Sequence, residues 1–197
     1  MKNEDDIKRE RRRLIVATTV LGGIGAVACS VPFIASMFPS ARARSEGAPV
    51  EVDISKLEEG QFLVVLWQKK PIWIFKRTKA MLANLEEIAD ILVDPESDVK
   101  TQQPDYTKSH YRSIKPEIFV VIPFCTHLGC IPTKKLLTGA QQGMDMNWPG
   151  GFYCPCHGSK FDLAGRVFKS VPAPTNLLIP PHAYINDSRI VIGPDQI

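Results

Sequence analysis

Two short stretches decide the fold: FCTHLGC at residues 124–130 and YCPCHGSKFDLAG at residues 153–165. Together they hold four of the five cysteines and two of the four histidines of the chain. The six candidate metal ligands, three from each stretch, are Cys125, His127, Cys130, Cys154, Cys156 and His157. A four-coordinate site needs only four ligands, so the function of the stretches must also explain the two that remain.

Two simple assignments leave part of this set unused. A structural zinc ion takes four ligands in a tetrahedral site, and any choice of four leaves spare thiols. Pairing all four cysteines as disulfides leaves both histidines without a role. Neither assignment accounts for the whole pattern.

A third assignment uses all six residues. The pairs Cys125/His127 and Cys154/His157 each supply one sulfur and one nitrogen. A 2Fe–2S cluster with mixed ligation takes two thiolates on one iron and two imidazoles on the other. The two cysteines left over, one per stretch, can then join the stretches as a disulfide, which persists only in an oxidising compartment.

The excess of basic residues lies at the N-terminus. Residues 1–44 contain eight Lys/Arg and four Asp/Glu, whereas residues 45–197 contain sixteen basic and seventeen acidic residues. The formal net charge of +3 therefore arises outside the main part of the chain. Because nucleic-acid binding depends on a basic face, we expect no nucleic-acid partner.

A long apolar segment follows a basic run at the N-terminus. Residues 8–13 are KRERRR, and residues 14–41 carry no charge. About 25 residues at 1.5 Å each give roughly 37 Å of helix, enough to cross a hydrocarbon core of about 30 Å. We predict a cytoplasmic N-terminus at 1–13, a single-pass transmembrane helix at 14–38 and, by the positive-inside rule, a periplasmic C-terminal domain.

Other interpretations of this segment stay open. The ARA sequence at 41–43 is a possible signal-peptidase site, Cys29 is a possible lipidation site, and a buried core helix is the third alternative. The apolar stretch exceeds the usual apolar h-region of a signal peptide, roughly 7–15 residues, and has no polar stripe, which favours an uncleaved anchor. Arg11–Arg13 also fit a twin-arginine export signal.

The rest of the chain divides into a tether and one domain. Residues 39–50 are small, polar and contain Pro and Gly, which indicates a flexible tether. Residues 51–197 are predicted to form one mainly antiparallel β domain, with the two stretches in a small cluster-binding subdomain at about 123–175.

Short runs of β-forming residues support this fold class. They lie at 62–67, 72–75, 118–124 and 189–193, between turn-forming residues. Apolar residues at helical spacing over 78–95, with Thr78 as N-cap, predict one helix inserted among the strands.

The chain resembles the Rieske iron–sulfur subunits of bacterial ubiquinol–cytochrome c oxidoreductases. CTHLGC (125–130) and CPCHGS (154–159) are similar to the two cluster-binding boxes of the disulfide-bearing Rieske proteins. The resemblance extends to FDLAGRVFKSVPAPTNL (161–177), WQKKPIWIFKRT (67–78) and the N-terminal anchor. It therefore covers essentially the whole chain and implies a Rieske-type β domain at 51–197.

The resemblance implies a role for each residue of the boxes. The implied ligands of one 2Fe–2S cluster are Cys125, His127, Cys154 and His157, and the implied disulfide is Cys130–Cys156. Ser159 would donate a hydrogen bond to a bridging sulfide. The VPAP segment at 171–174 would cover the cluster, and Leu128 would face the quinol pocket.

The chain departs from the family pattern at Phe161, where many members carry a tyrosine that hydrogen-bonds a ligand sulfur. Without this hydroxyl the thiolate donates more electron density, so we expect a lower reduction potential. Phe161→Tyr is predicted to raise it.

The implied function is electron transfer within an assembled quinol:cytochrome c oxidoreductase of the bacterial inner membrane. His157 or His127 would accept a proton from ubiquinol while the cluster takes one electron, which then passes to a c-type cytochrome. The expected partners are cytochrome b, a c-type cytochrome, ubiquinol at the interface with cytochrome b, and the lipid bilayer. The complex is expected to be dimeric.

Two other functions need to be distinguished from this one. A Rieske subunit of another exported oxidoreductase, such as an arsenite-oxidase-like enzyme, would have a molybdenum subunit as its partner. A zinc-binding envelope protein would contain zinc without iron or labile sulfide.

Overall fold

A computed structural model describes residues 3–40 and 47–193, and its contacts divide the chain into two units, Met1–Ser45 and Glu46–Ile197. The predicted tether at 39–50 falls partly on residues 41–46, which lie outside the described residues. Its last residue, Val50, already begins the first strand.

The N-terminal unit contains one long helix, α1, at Glu4–Ser36. The mean hydropathy of its most apolar window is 2.1, and the helix is long and apolar enough to cross a membrane. Hydroxyl groups inside it bond to its own backbone, as Thr19 Oγ1 does to the Ile15 carbonyl at 2.8 Å. The helix starts earlier than the predicted anchor, so the basic run is helical too, and Pro32 lies within its last turns.

Over its described residues, 47–193, the second unit contains three antiparallel sheets of three strands each, with strand orders β1-β9-β8, β2-β3-β4 and β5-β6-β7. The strands are β1 Val50–Asp53, β2 Phe62–Trp67, β3 Lys70–Lys76, β4 Ile118–Val121, β5 Thr133–Lys135, β6 Gly151–Tyr153, β7 Lys160–Phe161, β8 His182–Asn186 and β9 Arg189–Ile192. The predicted fold class, mainly antiparallel β, is therefore confirmed.

The sheet β2-β3-β4 separates two hydrophobic cores. On one face Ile74 and Val120 pack with Ile190 of β9 in an aliphatic core. On the other face Phe75 and Phe119 pack in a second core that includes both buried cysteines of the two boxes. Since both faces of β3 and β4 are covered, these strands are continuously apolar rather than alternating.

The inserted helix is shorter than predicted. Helix α2 spans Lys79–Glu87, and the Thr78 hydroxyl accepts a hydrogen bond from the Met81 amide at 3.2 Å, as an N-cap should. The prediction that it continues to Asp94 is wrong. The backbone at 91–93 pairs instead with 167–169, through Val93 N to Val167 O at 3.0 Å and Lys169 N to Ile91 O at 2.9 Å.

The strand predicted at 118–124 is also too long, because β4 ends at Val121. Ile122 forms only an isolated bridge to Leu178, and Pro123 has no amide hydrogen to continue the ladder. The chain turns out of the sheet here and enters the first box.

Candidate metal centre

The two boxes form two loops with the same backbone pattern. The first loop, 125–130, follows β4, and the second, 154–159, connects β6 to β7. In the first, Cys125 N donates to Cys130 O and Gly129 N donates to Cys125 O, both at 2.8 Å. In the second, the Cys154 amide donates to the carbonyl of Ser159 at 2.7 Å.

A glycine at the fifth position completes both loops. The Gly158 amide donates to the Cys154 carbonyl at 2.9 Å, as the Gly129 amide does to Cys125. Gly129 has φ 82° and Gly158 has φ 78°, in the left-handed region that disfavours other residues. The first cysteine of each loop is therefore held in the same backbone environment.

The structure brings the two predicted sulfur ligands together in the core. Cys125 is 3% exposed and Cys154 is 2% exposed, and both belong to the same hydrophobic core. Burial raises the pKa of the Cys125 thiol, and Cys154 is among the groups that raise it further, while hydrogen bonds from the His127 amide and the Ser159 side chain oppose this rise. A bound cation would favour the thiolate form that burial disfavours.

The two predicted imidazole ligands lie side by side nearer the surface. The ring centroids of His127 and His157 are 4.8 Å apart, and the rings meet edge-on at 82°. His127 is half-buried and His157 is exposed. The candidate centre thus has sulfur on its inner side and nitrogen on its outer side.

A disulfide joins the loops. Cys130 and Cys156 are bonded, with their Cα atoms 6.6 Å apart. The Sγ atoms of Cys130, Cys154 and Cys156 all lie within 4.8 Å of one another, which is the spacing of a metal site. Two of these three sulfurs are bonded to each other and have no thiolate to offer, so this trio is not a ligand set.

Ser159 connects the second loop to the proline-containing loop at 171–175. Its side chain is fully buried, and its Oγ accepts a hydrogen bond from the Ala173 amide at 3.0 Å. The same side chain interacts with the Cys125 sulfur and opposes the rise in the pKa of that thiol. Since the oxygen is occupied as an acceptor, the hydroxyl proton is left to donate toward the sulfur.

Thr126 provides a matching connection that sequence reasoning missed. Its Oγ1 donates to the Thr175 carbonyl at 2.6 Å, so the first loop is also tied to the segment 171–175. A threonine next to a ligand cysteine gives no sequence signal, because its partner is 49 residues away.

Three buried arginines hold the turn at 162–167 that follows the second loop. Arg166 Nε donates to Asp162 Oδ2 at 2.6 Å, and both side chains are fully buried. Arg77 donates to the Leu163 carbonyl at 3.2 Å, and Arg112 donates to the Ala164 carbonyl at 3.1 Å. Burial lowers the pKa of Arg77 to about 9 and that of Arg112 to about 10. Sequence reasoning did not predict this cluster either. The spacing of Asp162 and Arg166, an acidic and a basic residue four positions apart, was the one available signal.

The four donors fit a mixed-ligand 2Fe–2S cluster. Two buried thiols in the same core suit one iron, and two adjacent imidazoles from the same pair of loops suit the other. The disulfide between the loops is the one that the resemblance implied, and the four ligands stay a prediction.

Two family models match parts of the chain. Residues 91–181 match the family described as "Rieske [2Fe-2S] domain", and residues 1–40 match "Ubiquitinol-cytochrome C reductase Fe-S subunit TAT signal". A chain of the "Hyperthermophilic respiratory Complex III" is similar in structure, with a TM-score of 0.46 and 23% identity over 89% of this chain and 97% of that one.

Curated relatives are similar over nearly the full length. The ubiquinol–cytochrome c reductase iron–sulfur subunit of Allochromatium vinosum is 58% identical over 189 residues, covering 96% of this chain and 90% of the relative. The subunit of the same name from Blastochloris viridis is 42% identical over 196 residues, covering 98% of each. The chain belongs to the family of ubiquinol–cytochrome c reductase iron–sulfur subunits.

Proposed function

We propose that this chain is the electron-transfer subunit of a membrane quinol:cytochrome c oxidoreductase, active only in the assembled complex. The observation that carries the proposal is the pairing of two buried thiols with two outward imidazoles on loops joined by a disulfide. Family membership supports the reaction class, since the relatives are named as ubiquinol–cytochrome c reductase subunits.

The proposed ligands are Cys125 and Cys154 for one iron and His127 and His157 for the other. When bound, the cluster supplies a one-electron acceptor, with a potential in the range of roughly −150 to +300 mV for this ligand type. The buried side of the site keeps water from the sulfurs, because both cysteines belong to the core.

The proposed role of His157 is to accept the proton that ubiquinol releases. An imidazole that binds a metal through one nitrogen keeps the other for proton exchange. His157 is exposed whereas His127 is half-buried, which favours His157 as the residue nearer the quinol. Leu128, which follows His127 in the first loop and is 72% exposed, offers an apolar contact for the quinol.

The proposed partners and location follow the function. Ubiquinol would bind at the interface with cytochrome b, and a c-type cytochrome would receive the electron, in a complex that is dimeric. The helix α1 would anchor the chain in the lipid bilayer of the bacterial inner membrane, with residues 1–13 cytoplasmic and the β domain periplasmic. Residues 39–50 are proposed as the flexible tether between them.

Metal analysis and EPR of the detergent-solubilised full chain test the proposal. We expect two iron atoms and two labile sulfides per chain, and an EPR signal on reduction typical of mixed histidine and cysteine ligation. Zinc without iron would support the envelope-protein alternative and overturn the proposal. Copurification with a molybdenum subunit instead of cytochromes would support the arsenite-oxidase-like alternative.

The role of His157 is tested in the assembled complex. His157→Cys would keep a metal ligand but remove the exchangeable imidazole proton, and the matched variant is His127→Cys. We expect quinol oxidation to lose its pH dependence in the His157 variant and to retain it in the His127 variant. Equal pH profiles in variants that both contain iron would contradict the assignment.

A further inference from the structure

Three sulfurs lie together where the two loops meet. Cys130 and Cys156 are joined as a disulfide, and Cys154 has a free thiol. The three Sγ atoms are mutually within 4.8 Å, and Cys154 is only 2% exposed. A buried thiol therefore faces a disulfide at a distance that a side-chain rotation, which moves a sulfur by about 3 Å, can close.

We propose that Cys154 is a site of thiol–disulfide exchange in the cluster-free chain. The inference rests on the proposed function, because that function makes Cys154 an iron ligand whose sulfur is unavailable when the cluster is bound. Without the cluster, the Cys154 thiolate attacks the disulfide that joins the loops.

The exchange needs no external oxidant or reductant. A bond forms between the sulfurs of Cys154 and Cys130, the Cys130–Cys156 bond breaks, and Cys156 leaves as a thiolate. The proton lost by Cys154 is taken up by Cys156. One disulfide and one thiol of this trio exist before and after the reaction, so only their identity changes.

Attack on Cys130 is favoured over attack on Cys156. Cys156 is exposed, so water stabilises it as the leaving thiolate, whereas Cys130 is half-buried. The alternative product, Cys154–Cys156, would close a tight ring across Pro155. Cys125 lies in the same core as Cys154 but is not among the three mutually close sulfurs, so it is not the expected nucleophile.

The product is a chain that cannot rebuild its metal centre. Cys154 is consumed as a disulfide, while the new free thiol is the exposed Cys156. The loops remain joined through Cys130, so the β sheets persist and a stability measurement alone would not reveal the change. The order of assembly matters, since the cluster must bind Cys154 before the exchange occurs.

Disulfide mapping tests the inference on the full chain in detergent. Iron and labile sulfide are measured first, and the cluster is then removed by an iron chelator without oxygen or added thiol. Samples are quenched in denaturing acid, their free thiols are labelled with N-ethylmaleimide, and tryptic peptides are sequenced by mass spectrometry. Cys154 and Cys156 share the peptide 136–160, and fragmentation before Pro155 assigns the label to one of them.

We expect the label on Cys156 to rise roughly tenfold during incubation without the cluster, as the label on Cys154 falls and a Cys130–Cys154 disulfide appears. Cys29, free in every sample, is the internal reference. Retention of the Cys130–Cys156 disulfide with label on Cys154 after prolonged incubation would overturn the inference. Absence of iron and sulfide from the starting chain would instead count against the proposed function.

Two variants identify the nucleophile. Cys154→Ser should keep the Cys130–Cys156 disulfide throughout, and the presence of that disulfide at the start shows that the variant has folded. Cys125→Ser should still exchange, because Cys154 remains. The opposite result, with exchange lost in Cys125→Ser and kept in Cys154→Ser, would show that the attack is assigned to the wrong sulfur.

Discussion

The base and the tip of the β domain are stabilised in different ways. We define the base as the sheets β1-β9-β8 and β2-β3-β4, and the tip as the segments 125–130, 154–159 and 171–175. The base has an aliphatic core in which Ile72, Ile74 and Ile190 are fully buried. The tip contains no strand among these segments and is held by separate ties: one disulfide, Ser159 to Ala173, and Thr126 to Thr175.

This difference predicts which property a substitution changes in each region. An aliphatic core distributes its stabilisation over many contacts, so a small loss at one residue is shared. A tie between two loops is a single interaction, and its loss changes the geometry of the ligands it holds. We therefore expect substitutions in the base to change stability and substitutions in the tip to change the metal centre.

The largest expected effect is at a proposed ligand. Cys125→Ser replaces a buried sulfur donor, and we expect the purified chain to lose essentially all of its iron and labile sulfide. Iron and sulfide analysis checks this result. Cys29→Ser, in the helix α1, is the matched control and should keep both. A Cys125→Ser chain with full iron content would refute the ligand assignment.

The next effect is at the turn that supports the tip. Arg166→Met leaves the Asp162 carboxylate buried without its partner, which we expect to cost about 3–5 kcal/mol. Denaturant unfolding followed by tryptophan fluorescence measures the loss. Asp162→Asn in the same chain removes the stranded charge but keeps an oxygen for the amides of Ala164 and Arg166. The double variant should recover much of the stability, and no recovery would show that charge is not the cause.

Removal of the disulfide is the most direct test of the difference between base and tip. The double variant Cys130→Ala/Cys156→Ala should lose about 2–4 kcal/mol of unfolding free energy and release its cluster faster. In the base, Ile74→Val should cost about 0.5–1.5 kcal/mol and leave iron content unchanged. Cluster loss measured by visible absorbance distinguishes the two, and an equal rate of loss would contradict the division into base and tip.

The sequence predicted the parts of the molecule that depend on local pattern. The apolar run at 62–67 became β2 with the predicted bounds, and Thr78 caps α2 as expected. The helix end was wrong because residues 91–93 are taken by a pairing with 167–169, about 75 residues away, which no local pattern reveals. The same reason explains Arg77 and Arg112: they hold the turn at 162–167 through its carbonyl oxygens, which carry no side-chain signal.

More of the candidate site than of the surrounding fold could be predicted from the sequence. Spacing within each box indicated the six sulfur- and nitrogen-bearing residues, and the structure joins Cys130 to Cys156 as the resemblance implied. What the sequence could not supply was the asymmetry between the imidazoles. The difference in exposure between His127 and His157 depends on how the loops pack after folding.

We expect the free energy of unfolding to depend on pH through His182, which lies in β8 of the base. Burial lowers the pKa of His182 from its ordinary value of 6.5, so the folded state resists protonation there. The contribution of neutral His182 to the free energy of unfolding is complete above pH 6.5. It is lost as the pH falls toward the folded pKa, because the unfolded chain has the higher pKa and binds the proton first. We expect a decline of up to about 1.4 kcal/mol per pH unit.

Unfolding curves at several pH values check the origin of this decline. His182→Gln should flatten the dependence below pH 6.5, since it removes the titrating group. His110→Gln is the matched control, because that side chain is 53% exposed. If both variants keep the wild-type slope, the acid sensitivity comes from other groups.

The smallest expected effect tests the tip without breaking any of its ties. Phe161 is fully buried in the core that contains Cys125 and Cys154. A hydroxyl added by Phe161→Tyr is predicted to donate to a ligand sulfur, which withdraws electron density and raises the midpoint potential by on the order of 50 mV.

A redox titration followed by EPR measures this potential. Phe152→Tyr is the control, because Phe152 is equally buried, pairs with Phe161 across β6 and β7, and adds the same hydroxyl to the same core. A rise in the Phe161 variant alone would show that position 161 acts on the sulfur. Equal shifts in both variants would show only that the core has become more polar. An unchanged or lower potential would mean that residue 161 does not reach a ligand, and the low potential expected for this chain would then need another cause.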